Sequence, residues 1–341
     1  MHHSKLIARI SLVLCSVSLG PIATHAHHSR AHYGDETVEF DAEIVAVDWR
    51  NPHVTFTIRA MSGSGNEAAG EEAVWELEGG STYMLGRYSG LGRELFNVGD
   101  EVRVAGPVST VRSNEMLVTN MLLPDGREAI MLPNRPTRWS DSVEAAELSL
   151  QTDNPERSLF RVWSIDPDAR GGGGANLQLT PAGEASLAVY NIDEDDPAIR
   201  CVKPGMPSTM SNPHPMHFVD GGDRITLNIQ ENDVVRTIWL GENADAAAQL
   251  PSRLGYSVGH WEGSTLIVRT TNINWPYFDR TGVPVSEEVV VDERFEIDET
   301  GSRMVIRVVT TDPVNFQAPV TTQRHYALLG EDVKPYDCIA R

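Results

Sequence analysis

Apolar and polar residues alternate along most of this chain with the two-residue period of a β-strand, not the longer period of a helix. Val38, Phe40, Ala42 and Ile44 share one face of a segment from Thr37 to Val47. A break at Asp48-Trp49-Arg50-Asn51-Pro52-His53 comes next, and then Val54, Phe56 and Ile58 alternate with Thr55, Thr57 and Arg59. A strand centred on Trp75 spans 73–78, and a short helix or turn covers Ser81 to Leu91. Asn97-Val98-Gly99-Asp100 is a turn that opens a strand over 101–105, and Glu115 to Leu123 reads as the last strand before Pro124-Asp125-Gly126. Short strands with exposed edges are best protected by closing the sheet on itself. Residues 27–133 are therefore predicted to form an OB-like small barrel, in a protein that is mainly β.

Residues 134–157 are polar and mixed, and read as a linker with a short helix over Ser142 to Leu150. Residues 158–341 are predicted to form a larger antiparallel barrel-like or meander domain with one short helix. Its core begins at Trp163 and Ile165. The helix starts at Thr180-Pro181, with Thr as N-cap and Pro in the first turn, and runs to about Tyr190. Ile225, Leu227 and Ile229 form one strand face, and Val234 to Leu240 continues across a Glu231-Asn232-Asp233 turn. Val289, Val291, Glu293, Phe295 and Ile297 make a further face; Met304, Ile306 and Val308 make another; Gln323 to Leu328 closes the series.

Gly255-Tyr256-Ser257-Val258-Gly259 admits two opposed readings. As a motif it is G-x-S-x-G, the nucleophile elbow of serine hydrolases, which needs a strand, a sharp turn at the serine and then a helix. In this chain a Glu262-Gly263-Ser264 turn comes next, and then a β-branched run through Leu266, Ile267, Val268 and Thr271. A β-hairpin is the reading adopted.

The first residues change the picture of where the chain works. Lys5 and Arg9 precede a short apolar run, Ile10 to Leu19, and Thr24-His25-Ala26 places small residues where a signal peptidase cuts. Residues 1–26 are expected to be a signal peptide, with the mature protein in the periplasm or secreted. The apolar run is shorter than the roughly 20 residues a membrane span needs. Cys201 and Cys338, the two cysteines beyond the leader, are expected to pair as a disulfide in an oxidising compartment. The formal charge is −20, and losing Lys5 and Arg9 makes it −22. So acidic a surface repels nucleic acid and anionic lipid, and neither nucleic-acid binding nor membrane insertion is expected. Neither a phosphate-cradling nor a dinucleotide-binding glycine loop is present, and there is no C-x-x-C.

His27-His28-Ser29, Asn51-Pro52-His53 and Val98-Gly99-Asp100-Glu101-Val102 together resemble a family of uncharacterised exported bacterial proteins over roughly residues 27 to 130. The resemblance implies export and carries no activity. Gly255 to Thr271 and Thr311-Asp312-Pro313 also resemble segments of uncharacterised secreted bacterial proteins.

Histidine carries most of the candidate chemistry. With cleavage after Ala26, His27 offers an α-amine and a ring nitrogen, and His28, His32 or His53 would complete a nitrogen-rich site suited to copper. The alternative is a frayed terminus, with His53 completing a turn. His214, Met216 and His217, with Met206 and Met210 nearby, offer a second His/Met set, in a proline-rich stretch that equally reads as a connector. His260 lies beside Trp261 and Glu262 and could serve acid–base work; Ser257, His260 and Asp279 or Asp312 could be posed as a triad. Asp193 to Asp196 could take calcium, but lacks the regular loop spacing.

The function expected from sequence is an exported, soluble binding protein. Its ligand is a small apolar molecule in the second domain, or copper near the mature N-terminus. The alternative is a periplasmic hydrolase or isomerase using His260 or the His214/His217 segment.

Overall fold

The computed structural model describes residues 33–61, 73–110, 112–143, 150, 158–166, 169, 177–211, 214–241 and 248–338. Residues 1–26, expected to be a signal peptide, lie outside them, as do His27, His28 and His32 and most of the helix expected over 142–150.

The first barrel is the OB-like one expected. β1 (Tyr33–Asp48) is long enough to serve two neighbours, and a register shift between Ile44 and Ala46 bends it between them. It pairs with β2 (Thr55–Ala60) and with β4 (Glu101–Ser109). β3 (Val74–Glu78) continues from β2, and β5 (Glu115–Leu117) joins β3 to β4, so the order β1-β2-β3-β5-β4 returns to β1. The β3–β5 pairing is parallel. Phe40, Phe56, Trp75, Phe96 and Met116 fill the interior. α1 (Thr82–Ser89) bridges β3 to β4; its Ser81 cap accepts from the Met84 amide, and Gly90 ends it in the left-handed conformation at φ 66.

The single strand expected over Glu115–Leu123 is in fact two. Val118 bonds Glu78 and Thr119 bonds Ala105, so the chain crosses from one neighbour to the other between β5 and β6 (Asn120–Leu122). β7 (Glu128–Ile130) then pairs with β6. The first part of the expected linker is also docked. The Glu128 carboxylate accepts the amides of Arg138, Trp139 and Ser140, and Val143 packs into the first core. Burial opposes the charge of Glu128, yet those amides and Asn120 hold its carboxyl below the usual range.

The second barrel has nine strands and is closed: β10-β11-β12-β13-β14-β15-β16-β8-β9, with β9 pairing β10. They are β8 (Val162–Ile165), β9 (Met216–Asp220), β10 (Arg224–Ile229), β11 (Val234–Leu240), β12 (Tyr256–Glu262), β13 (Thr265–Thr271), β14 (Val290–Ile297), β15 (Arg303–Thr311) and β16 (Val320–Ala327). All neighbours are antiparallel except β11 and β12. β12 and β13 form the expected hairpin, turning at Gly263 with φ 62. Strand alternation aims Trp163, Phe218, Phe295 and Tyr326 inward, and all four are fully buried. α2 (Pro181–Leu187) begins at Thr180 as expected, and α3 (Ile192–Asp195) is a single turn.

One buried polar group crosses the second core. Arg236 donates to Glu293 Oε1 at 2.9 Å, to Thr270 Oγ1 at 2.8 Å and to Ser257 Oγ at 3.1 Å. Arg236 and Glu293 are both at most 1% exposed, so each charge depends on its partner.

Candidate functional site

The C-terminal tail joins the two barrels. Glu331 pairs with Arg87 of α1 at 2.8 Å and accepts from the Tyr83 hydroxyl at 3.4 Å. The side-chain amide of Asn51, at the end of the first barrel, donates to the Tyr336 carbonyl. The Tyr336 amide donates to Asp233 Oδ1 at 3.1 Å. The Cys201–Cys338 disulfide then ties the tail to the loop after α3, with its Cα atoms 5.8 Å apart. The expected pairing of these cysteines is thus present.

A small cleft opens beside the β10–β11 turn at one end of the second barrel. Its polar residues come from three loops that sequence separates widely. The β10–β11 turn supplies Glu231 and Asn232. Asn232 and Asp233 are consecutive left-handed residues, φ 51 and 49, as a tight hairpin turn requires, and Asn and Asp tolerate that conformation. The loop after α3 supplies Asp196, whose Oδ1 caps the following turn by accepting from the Ala198 amide at 2.9 Å. The β13–β14 loop supplies Trp275, Tyr277 and Arg280. Trp275 sits close because residue 205 is glycine: a Cβ there would lie 2.6 Å from the indole.

The pairing inside this cleft is loose. Arg280 Nη2 is 3.5 Å from Asp196 Oδ2, and Nη1 is 3.9 Å from Glu231 Oε1. Neither is a good hydrogen bond. Asp196 Oδ2, Glu231 Oε2, Asn232 Oδ1, Arg280 Nε and Trp275 Nε1 are all buried, and none has a hydrogen-bond partner among the described residues. A buried polar atom left unpaired costs about 1–3 kcal/mol, so five around one cavity need an explanation.

Electrostatics mark the same place. Burial, with Asp196 adding to it against Arg280, pushes the Glu231 carboxyl up to about 7. For Arg280 burial opposes the charge, but Glu231 and Asp196 more than compensate and its pKa is raised. His214 lies behind the cleft with its ring 5.3 Å from those of both Tyr83 and Tyr336. Burial, helped by Arg280, lowers its pKa to about 3, so it is neutral.

The family profile that matches covers only part of the chain. A family of unknown function, DUF6152, matches residues 14–115. No curated protein and no solved structure matches the chain. The matched stretch runs through β1–β4 into β5, so the cleft residues of the second barrel lie beyond it.

The residues singled out from sequence are dispersed. His53 lies in the first barrel with Nδ1 2.8 Å from Glu78 Oε1; its proposed copper partners His27 and His28 lie outside the described residues. Met216 points into the second core, whereas His217, one residue on, is half-buried on the opposite face of β9. Met206 and Met210 are core residues too. His260 is exposed, 3.5 Å from Glu262.

The posed triad is not assembled. Ser257 Oγ is buried and held by Arg236 and Thr270, and His260 lies three positions further along the strand, which puts the two on opposite faces. Asp312 is taken up by Ser286 and Asn315, and Asp279 by Thr281. Of the Asp193–Asp196 run, the Asp193 side chain lies outside what the structure describes, Asp195 accepts from the Asn191 amide, and Asp196 faces Arg280. No group of three or more His, Cys, Asp or Glu is placed to hold a metal among the described residues.

Glu231, Arg280 and Trp275 are what sequence reasoning missed. Glu231 was legible only as part of a turn. Arg280 lies in a loop with no periodicity, and its partners come from positions far away in the chain.

Proposed function

We propose that this chain is an exported binding protein that takes a small molecule in the Arg280 cleft. The observation that carries this reading is the ring of five buried, unpartnered polar atoms around one cavity. Apolar walls with a few convergent polar groups are the usual make-up of small-molecule sites. Val202, Pro197 and Pro204 contribute apolar wall beside Trp275 and Tyr277, so a ligand with an apolar face suits it. The second barrel's interior, filled by Trp163, Phe218, Phe295 and Tyr326, is a less favoured place for that ligand. The disulfide and the leader-like N-terminus support export to the periplasm or beyond.

The test is a thermal-shift screen of chemically diverse small molecules on the mature chain, beside Asn232→Gly and Trp275→Phe. Asn232→Gly removes one unpaired acceptor and suits the left-handed backbone. Compounds that raise the melting temperature of the parent chain are expected to do so less in both variants. Shifts that survive in both variants contradict the reading.

A second reading, a periplasmic hydrolase or isomerase, is favoured by one observation. Glu231, at about 7, sits where a carboxyl can give or take a proton near neutral pH. It would replace His260 and the His214/His217 segment as the acid–base group. Copper at the mature N-terminus is a separate proposal. It requires a mature mass beginning at His27 and tight copper uptake lost in His28→Ala; a different start or no uptake ends it.

A further inference from the structure

We propose that the Cys201–Cys338 disulfide is a redox-sensitive clasp: it holds the two barrels in one arrangement, and its reduction by a dithiol frees the first barrel from the second. No strand of one barrel pairs with a strand of the other among the described residues. Beyond β16, residues 328–338 form no helix or strand and make the connection instead. This tail leaves the second barrel, crosses the first, and returns to the second at Cys201. On the first barrel, Glu331 meets Arg87, the Tyr336 carbonyl accepts from Asn51, and Cys338 pairs with Asn51 in a parallel bridge. Asn51 is the anchor there. It is buried, and its Oδ1 accepts from the Thr82 amide and hydroxyl, each at 3.1 Å, so one side chain binds both the tail and the start of α1. On the second barrel, the Tyr336 amide reaches Asp233, its ring lies against His214, and the disulfide closes the loop.

Two features make this bond reducible. Both cysteines are half-buried, so a small dithiol can reach them. Cys201 and Asp337, the residue before Cys338, are left-handed at φ 53 and 49, a conformation that is strained for residues with a Cβ. Exposed or strained disulfides are the ones that thiols reduce readily. A thiolate of the dithiol attacks one sulfur, the S–S bond breaks, and the other cysteine leaves as a thiolate and takes a proton. The second thiol of the reagent then displaces the first cysteine, so the reagent departs as a disulfide and has supplied two electrons. Without the bond, the far end of the tail is held by single hydrogen bonds, each of modest net worth.

The experiment treats the oxidised protein with dithiothreitol and confirms free thiols at Cys201 and Cys338 by alkylation and peptide mass. The two forms are compared by small-angle X-ray scattering, circular dichroism and hydrogen exchange. On reduction the radius of gyration is expected to rise while the circular dichroism stays unchanged. Tail amides, Tyr336 among them, are expected to exchange about tenfold faster, and the strands of the second barrel to keep their protection. Reoxidation is expected to restore the compact form. Reduction that leaves the radius and the tail exchange unchanged overturns the proposal. So does a disulfide that resists dithiothreitol in the folded protein. Loss of the barrel signal on reduction overturns it too, because the bond is then a staple of the second barrel. Asn51→Asp keeps the acceptor for Thr82 and loses the donor to Tyr336, and is expected to stay compact while oxidised. If that variant opens with its disulfide intact, the hydrogen bond is the clasp and the proposal falls.

Discussion

Arg280 Nη2 stands 3.5 Å from Asp196 Oδ2, inside ion-pair range and beyond a good hydrogen bond. The gap is consequential, because Arg236 and Glu293 in the same barrel close to 2.9 Å and Arg236 also donates to the Thr270 and Ser257 hydroxyls. Arg236 is enclosed and fully partnered, whereas Arg280 is partly exposed and its Nε has no hydrogen-bond partner among the described residues. The satisfied pair holds the barrel core, and the unsatisfied one lines the cleft.

Glu231 gives the first prediction. Its carboxyl is near 7 in the folded chain and 4.5 as a reference value, so the folded state holds the proton better. That contribution is complete below about pH 4.5 and is lost as pH rises through about 7. The size is about 3 kcal/mol. Glu231→Gln is expected to gain stability relative to the parent between pH 5 and pH 8 in urea melts. Parallel pH profiles for the two chains would refute this.

His214 acts with the opposite sign. Its pKa of about 3 lies below the reference 6.5, so the folded chain resists protonation. Stability is lost as pH falls below about 6.5 toward 3, by about 5 kcal/mol. Between pH 4.5 and 6.5 the two groups oppose each other. His214→Phe keeps the aromatic contacts with Tyr83 and Tyr336, and is expected to be less sensitive to acid than the parent. An equal loss in both chains from pH 6.5 to 4 would count against the buried neutral imidazole.

The disulfide spans 137 residues of sequence. Removing it with Cys201→Ser and Cys338→Ser is expected to cost up to about 4–5 kcal/mol by the chain-entropy argument. The tail that it pins carries Tyr336, which bonds Asn51 and Asp233, so the cleft turn loses a tether as well. Chemical denaturation with and without reductant checks the first effect. A reduced chain as stable as the oxidised one would contradict it.

Ser257 should behave as a core hydroxyl. Ser257→Ala is expected to cost about 1 kcal/mol, and a fluorophosphonate probe should leave the serine unlabelled. Arg236→Met strands the Glu293 charge and should cost about 3–5 kcal/mol. Labelling of Ser257, read by peptide mass, would restore the elbow that the hairpin geometry denies.

Much of the fold could be read from alternation alone. Phe40, Ala42 and Ile44 on one face, and Val291, Phe295 and Ile297 on another, mark strands because one side of each is buried. β8 and β9 were less legible, being short and flanked by proline or polar residues. The parallel pairing of β11 with β12 results from how the intervening chain returns, which no local pattern encodes. The cleft was least legible for the same reason: Asp196, Glu231 and Arg280 meet through topology. The Asp193–Asp196 run stands out in the sequence for its charge, and Asp196 is the member that lines the cleft among the described side chains.

The most direct measurement is a crystal structure of the protein grown with a compound that raises its melting temperature. Density for that compound is expected in the cleft. It should lie within hydrogen-bond distance of Arg280 Nε and of Glu231 Oε2 or Asn232 Oδ1. A compound bound elsewhere, with ordered waters satisfying all five unpaired atoms, would contradict it.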